Sequence, residues 1–255
     1  MKKKKFDGIA NFTKDDLIEI KLERHFKKHS ISSLEVLKNF PIFSRRVALK
    51  KFLAHYELFQ KVINLPGDIV ELGVYKGLSL MSWANFLEIR SMGDRHKKVI
   101  GFDNFKGFTK FHSKDGKTNK KVNKVKGGFN SKNFEVPLIE AINIFDEDRF
   151  IPYKKRVHIV KGDAEFTVPK YFKDNPGIRI SLLHFDVDLY KPTLKTLNVL
   201  WPLVVKGGVI IFDEYGIPPW EGESKAVDEF LNKNKIKSKL QRFEWSSNPG
   251  AYLIK

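Results

Sequence analysis

Residues 178–216 read IRISLLHFDVDLYKPTLKTLNVLWPLVVKGGVIIFDEYG: two apolar runs that each end in acids, with an amphipathic segment between them. Ile178, Ile180, Leu182, Leu183 and Phe185 lead into Asp186, and Val209, Ile210, Ile211 and Phe212 lead into Asp213 and Glu214. Both runs have the length and residue types of buried strands. Between them Leu194, Leu197, Val199, Leu200 and Leu203 recur at roughly helical spacing, Pro192 suits a first helical turn, and Gly207-Gly208 supplies the expected stop. Strands joined by a helix lie parallel, so both acidic clusters leave the same edge of one sheet. If the strands are neighbours their axes are about 4.8 Å apart, and carboxylates leaving them can converge on one cation. An all-oxygen donor set favours magnesium, manganese or calcium over zinc.

The same alternation extends upstream. DIVELGV, KVIGFDNF and VHIVKGDAE read as three earlier strands, and SLMSWANFLEIRS and LIEAINIFDED as helices between them. Residues 106–133 lose periodicity and fill with Lys, Gly and Asn, which marks an insertion or mobile lid. After the helix SKAVDEFLNKN come KLQRFEWS and AYLIK, separated by Ser-Asn-Pro-Gly, the pattern of an antiparallel hairpin. Residues 1–65 carry only helical spacing, in KDDLIEIKLERHF and VALKKFLAHYELFQKVINL. The expected organisation is an N-terminal helical extension over 1–65 and one α/β domain over 66–255. A parallel sheet finished by an antiparallel hairpin is the Rossmann-like arrangement of the class I methyltransferases.

Composition narrows the partners. The formal charge of +17 points toward anionic ligands, but the excess lies in Lys-rich segments that also read as solvated loop, so a nucleic-acid partner is not the expectation. There is no Cys, hence no disulfide and no thiolate metal site. No run approaches a membrane span, and MKKKKFDGIANFTKDD lacks the apolar stretch of a secretory signal, which leads to the expectation of a cytoplasmic protein. Self-association is left open.

Three further acids stand at strand ends. The first strand leads into Glu71-Leu-Gly73-Val74-Tyr75-Lys76-Gly77-Leu-Ser79, a glycine-rich turn opening a helix. Its spacing is that of neither a dinucleotide fingerprint nor a phosphate-binding loop, and an acid two residues before the first Gly suits an amine-bearing ligand. An ordinary strand-to-helix turn explains the motif equally well. Asp103 ends the second strand, where a carboxylate can accept both ribose hydroxyls, and Asp163 ends the third, within reach of an adenine amino group; either can instead cap a helix. His184, in an apolar strand, is expected to be a packed core residue rather than a proton acceptor. Asp188 reads either as a further ligand or as a solvated strand end. Trp220, in IPPWEGES, is the one tryptophan considered as a substrate platform.

Over residues 66–232 the motifs GDIVELGVYKGLSL, FDNFKGF, HFDVDLYKPT, GGVIIFDEYG and KAVDEFL, in that order, resemble the macrocin O-methyltransferase family of sugar methyltransferases, which depend on S-adenosylmethionine and a divalent metal. The resemblance implies that Glu71, Gly73 and Gly77 line the methionine side of the cofactor, Asp103 its ribose, and Gly162, Asp163 and Ala164 its adenine, with Val74, Tyr75, Ser79 and Phe105 as further contacts. It also implies that Asp186, Asp213 and Glu214 hold magnesium or manganese and that Asp186 is a candidate base. Glu214 stands where the family usually carries a second Asp. The expected reaction is methyl transfer to the hydroxyl of an anionic small-molecule sugar, such as a nucleotide sugar or a glycan. Catechol-type and RNA O-methyl transfer are the enzymatic alternatives, and a cofactor-binding scaffold is the non-enzymatic one.

Overall fold

The computed structural model describes residues 15–255; the basic start of the chain and the opening of the expected 1–65 helical layer lie outside them. The described part of that layer holds α1 (Asp15–Lys28), α2 (Ser33–Lys38), α3 (Phe40–Phe43) and α4 (Arg46–Gln60). Ser32 and Glu35 form a reciprocal cap at the start of α2, each side chain accepting the other's backbone N–H. α2 and α3 bury no residue. α4 does: Ala54, His55, Leu58 and Phe59 form its buried stripe at helical spacing.

The α/β part runs β1 (Asp68–Leu72), α5 (Leu78–Ser91), β2 (Val99–Asp103), α6 (Lys132–Asp148), β3 (Val157–Lys161), α7 (Ala164–Asp174), β4 (Ile180–Phe185), α8 (Tyr190–Leu200), β5 (Val204–Phe212), α9 (Glu221–Lys233) and β6 (Ala251–Ile254). The strands form one sheet in the order β3-β2-β1-β4-β5-β6, in which β1 to β5 are parallel and β6 runs antiparallel to β5. Phe59, Trp83, Phe86 and Val209 belong to the apolar layer on one face, and Val168, Leu197, Phe230 and Ile210 to that on the other. Leu72 pairs with Phe185, and Phe185 with Phe212, so β1, β4 and β5 end level with one another. That register sets Gly73, Asp186 and Asp213 side by side at one sheet edge.

Three features depart from the sequence pattern. Gly207-Gly208 does not stop α8, which ends at Leu200; the pair lies inside β5, where the pairing with β4 shifts register between Ile180 and Leu182. A Cβ on Gly208 would lie 3.0 Å from the Ser181 carbonyl oxygen, so glycine is what lets the strands close there. α7 was not legible, because Pro169 in its interior breaks the periodic signal. The C-terminal hairpin is present in reduced form: its second arm is β6, and its first arm touches that strand at a single bridge, Gln241 with Tyr252.

The segment 106–133 is pinned rather than loose. The Asp115 carboxylate, buried, accepts the backbone N–H of His112 and of Tyr190 at the start of α8, both at 2.6 Å. The Lys124 ammonium, fully buried, donates to the carbonyls of Asp115 and Pro219 and to Glu221 Oε2 at 3.1 Å. Phe108 and Phe129 then pack on Trp220. Trp220 is 6% exposed and held in this packing, so it offers no open platform to a substrate. Among the described residues no helix is long and apolar enough to cross a membrane.

Lys124→Met removes the donor while leaving two buried carbonyls unpaired, which should cost about 2 kcal/mol or more. Limited proteolysis is expected to shift toward sites within 106–133. An unchanged cleavage pattern and melting temperature would show that the lid is held by other contacts.

Candidate active site

The level strand ends open onto a cleft of about 550 Å³. Gly73, Tyr75, Asp103, Gly162, Asp163 and Ala164 line one part of it, and Asp186, Asp188, Asp213 and Glu214 another. Phe108, Phe111 and Phe129 of the lid give it an aromatic wall. The volume is in the range of small-ligand sites.

Asp103 organises the first part. Its Oδ2 accepts the backbone N–H of Val74 and of Tyr75, each at 2.7 Å, and its Oδ1 accepts that of Phe105 at 2.6 Å. These bonds hold Tyr75 (φ 52°) and Phe105 (φ 55°) in the left-handed region, a cost that the half-buried carboxylate offsets. A carboxylate offers about four acceptor positions, so roughly one remains. Burial raises the pKa of Asp103 above the ordinary value. Asp163 caps α7 through the backbone N–H of Glu165 at 2.9 Å and also faces the cleft.

The other residues expected at the cofactor sit behind this wall. Glu71 is fully buried, accepting from Ser79 Oγ at 3.1 Å and from Trp83 Nε1 at 2.8 Å. Strand alternation aims it at α5 rather than out of the sheet edge. Val74 and Phe105 belong to the core, and Gly77 (φ +88°) abuts Leu138 of α6. Gly73 is required for a different reason than ligand approach: a Cβ there would lie 1.8 Å from the carbonyl oxygen of Asp186.

The second part is a buried charge cluster. Asp213 is 1% exposed; its Oδ2 accepts from Lys51 Nζ and from Asn248 Nδ2, each at 2.8 Å, and its Oδ1 lies 3.3 Å from His184 Nε2. Lys51 Nζ also reaches Asp186 Oδ2 at 3.1 Å. His184 Nδ1 lies 3.3 Å from Glu71 Oε2, so the histidine spans two acids. Burial opposes charge on His184, but its hydrogen bonds to Asp213 and Glu71 win and push its pKa up to about 9. Burial likewise opposes charge on Lys51 and on Asp213. Asp186 and Asp213 nevertheless hold Lys51 well above its ordinary value, and Lys51 and His184 hold Asp213 well below the carboxylate range.

The remaining acids are less fully compensated: Asp186 shares Lys51 with Asp213. Burial and the neighbouring Asp213 raise Asp186 to about 6; burial with Asp188, Asp213 and Asp186 raises Glu214 to about 10. Asp188 (φ 61°) is raised by burial and Asp186. Glu223 of α9, raised by burial and Asp188, accepts the backbone N–H of Glu214 at 2.9 Å. Such a cluster of oxygen donors with too little positive charge fits a hard divalent cation. Among the described residues, a group with ligand atoms within 4.8 Å of one another is His55, His184 and Asp213. Two of its three members are imidazoles, a donor set that suits a softer transition metal better than magnesium. His55 itself is fully buried with both ring nitrogens unpartnered.

Sequence reasoning missed Lys51, His55, Asn248 and Glu223. For the first two a signal existed: Lys51 and His55 continue the apolar stripe of α4 at three- and four-residue spacing, and a charged residue on a buried stripe needs a partner. Asn248 and Glu223 carry no such mark, since their roles depend on the chain returning to the sheet edge.

A parallel sheet closed by an antiparallel strand, with acids lining the cleft at its carboxyl edge, is the class I Rossmann-like methyltransferase architecture. The chain belongs to the macrocin O-methyltransferase (TylF) family, whose model matches residues 31–249. It is 26% identical over 181 residues to mycinamicin III 3''-O-methyltransferase of Micromonospora griseorubida, covering 69% of this chain and 65% of that protein. It is 29% identical over 182 residues to demethyldecarbamoylnovobiocin O-methyltransferase of Streptomyces niveus, covering 69% and 63%. The chain thus spans somewhat under two thirds of the length of these curated relatives. Among solved structures it resembles the calicheamicin methyltransferase CalS11, with a TM-score of 0.89 and 27% identity over 98% of this chain and 96% of that one. A second structure of CalS11, at TM-score 0.80 and 27% identity over 98% and 99%, is described as a TDP-rhamnose 3'-O-methyltransferase.

Gly73→Ala should destabilise the fold by about 2 kcal/mol or more, because its Cβ meets backbone that cannot yield and its φ disfavours a side chain. Chemical denaturation measures this. A variant as stable as the wild type would mean that β1 and β4 can separate at the site.

Proposed function

We propose that the protein is an S-adenosylmethionine-dependent, divalent-metal-dependent O-methyltransferase acting on a sugar hydroxyl, with a nucleotide sugar or an acidic glycan as the substrate class. The observation that carries the reading is the division of one cleft into a part suited to a nucleoside and a part suited to a cation, joined where Gly73 touches Asp186. The names of the relatives support O-methyl transfer, and that of CalS11 supports a nucleotide sugar.

The cofactor would supply a methyl group already made electrophilic by its sulfonium centre, and the cation would lower the pKa of a bound hydroxyl. The residues provide the rest. Asp103, with about one acceptor position left, has room for one ribose hydroxyl rather than two. Asp163 keeps its Oδ2 for an adenine amino group while its Oδ1 caps α7, and Gly162 and Ala164 shape the turn beside it. Gly73 and Tyr75 carry the methionine side, whereas Glu71, Val74, Gly77, Ser79 and Phe105 support that wall from behind. Asp186, Asp213 and Glu214 are the oxygen donors for magnesium or manganese. Asp186, whose pKa its burial and its neighbour Asp213 push up to about 6, is the candidate base. The aromatic lid wall of Phe108, Phe111 and Phe129 excludes water and offers an apolar face to a sugar ring. Lys110 and Lys191 line the same cleft and suit an anionic substrate. The same acids would also serve an aromatic diol, so catechols belong in any substrate panel.

Asp186→Asn and Asp213→Asn should each lower methyl transfer by about 10²-fold or more while calorimetry finds cofactor affinity retained. Chelator should abolish wild-type turnover on nucleotide sugars, with magnesium or manganese restoring it. Turnover by metal-free enzyme at the full rate would falsify the metal-dependent mechanism, and transfer to catechols or tRNA in place of nucleotide sugars would overturn the substrate class.

The two tiers of the cofactor wall separate by a second experiment. Asp103→Asn should weaken S-adenosylmethionine binding, whereas Glu71→Gln should lower the melting temperature and leave that affinity within about threefold, since it loses a buried acceptor and no ligand contact. Equal losses of affinity in both variants would return Glu71 to the cofactor.

A further inference from the structure

We infer that Lys51 is the resident counter-ion of the acidic pocket and competes with the divalent cation for Asp186 and Asp213, so that cation binding requires the α4 side chain to withdraw. The inference rests on the metal-dependent reading and concerns a residue outside the strands that supply the acids. Its basis is geometric. Lys51 Nζ lies 3.1 Å from Asp186 Oδ2 and 2.8 Å from Asp213 Oδ2, which puts a cation between the two carboxylates that the register of β4 and β5 brings together. A divalent ion bridging the same two oxygens would need the same space, and two positive charges a few ångströms apart in a largely buried pocket repel strongly.

Asp213 has little else to offer an incoming ion. Its Oδ2 is shared between Lys51 and Asn248 and its Oδ1 is engaged by His184, so on Oδ2, the oxygen that faces Asp186 across Lys51, room for an ion comes from displacing Lys51. Asn248 comes from the loop before β6 and His184 from the core of the sheet, whereas the Lys51 side chain is 23% exposed and lines the cleft. The flexible stem of a lysine can swing its ammonium into the cleft without moving α4, whose Ala54, His55, Leu58 and Phe59 remain buried. Lys51 therefore does two things: it neutralises the acids in the ion-free protein, and it sets a threshold for the ion.

Manganese binding to the full chain, followed by electron paramagnetic resonance at fixed pH without cofactor or substrate, tests this without reference to turnover. Lys51→Met should tighten manganese binding by about tenfold or more, because it removes the competing charge and leaves the acids in place. Lys51→Arg, which keeps a cation on the same stem, should stay near the wild-type affinity. Lys50→Met, an equal change of charge at the exposed neighbouring position, should shift affinity by less than about threefold. In chelator Lys51→Met should melt below the wild type, and saturating manganese should raise its melting temperature by more than it raises that of the wild type. Equal or weaker manganese binding by Lys51→Met overturns the competition and leaves the metal reading standing. The same increase in Lys50→Met also overturns it, by showing a general field effect. If neither the wild type nor Lys51→Met binds manganese, the metal reading falls along with the competition.

Discussion

Asp213 carries a buried charge, and several segments of the chain are arranged to stabilise it. An isolated carboxylate this deep would be costly, so the fold brings Lys51 from α4, His184 from β4 and Asn248 from the loop before β6 onto its two oxygens. His184 passes the constraint on to Glu71 in β1, which Ser79 and Trp83 hold from α5. One charge thus ties both sides of the β1-β4-β5 centre, the first docked N-terminal helix and the C-terminal return of the chain. The N-terminal layer is an electrostatic part of the site and not only a cover for the sheet.

Compensation at Asp213 leaves its neighbours short. Asp186, Asp188, Glu214 and Glu223 are all raised, with burial as the first cause and adjacent acids next. Lys51 is spent on the Asp186 and Asp213 pair. A site built this way stores affinity for positive charge, and the cleft it faces has an aromatic lid fixed by Asp115 and Lys124 rather than left mobile. The acids and the lysines Lys110 and Lys191 line one cleft at the level strand ends, which is the charge pattern behind the proposed function.

The carboxyl edge of the sheet was legible in the sequence because local patterns determine it. Apolar runs that end in Asp186 and in Asp213-Glu214, joined by a helix, read as parallel strands leaving one sheet edge, and the structure makes them neighbours with Phe185 level with Phe212. Where a side chain points once the strand ends was harder to read. Glu71, read as a ligand contact, is fully buried and accepts from Ser79 and Trp83 of α5. Gly73 reads in the sequence as part of a glycine-rich turn, and the structure adds that it is the gap into which the Asp186 carbonyl fits. Lys51 and Asn248 act over long sequence separations, Glu223 folds back on Glu214 from α9, and only the Lys51 and His55 pair on the α4 stripe left a trace in the sequence. Pro169 hid α7, and Gly207-Gly208 imitated a helix stop while serving as a strand irregularity.

The claim on which the account turns is that the exits of β4 and β5 form a pocket that holds one cation at a time. Anomalous diffraction from crystals soaked in manganese tests it most directly. The account predicts a single manganese peak within coordination distance of Asp186 and Asp213, with the Lys51 side chain withdrawn into the cleft. A manganese ion bound instead among His55, His184 and Asp213, or no peak at all with Lys51 still bridging the two aspartates, would contradict it.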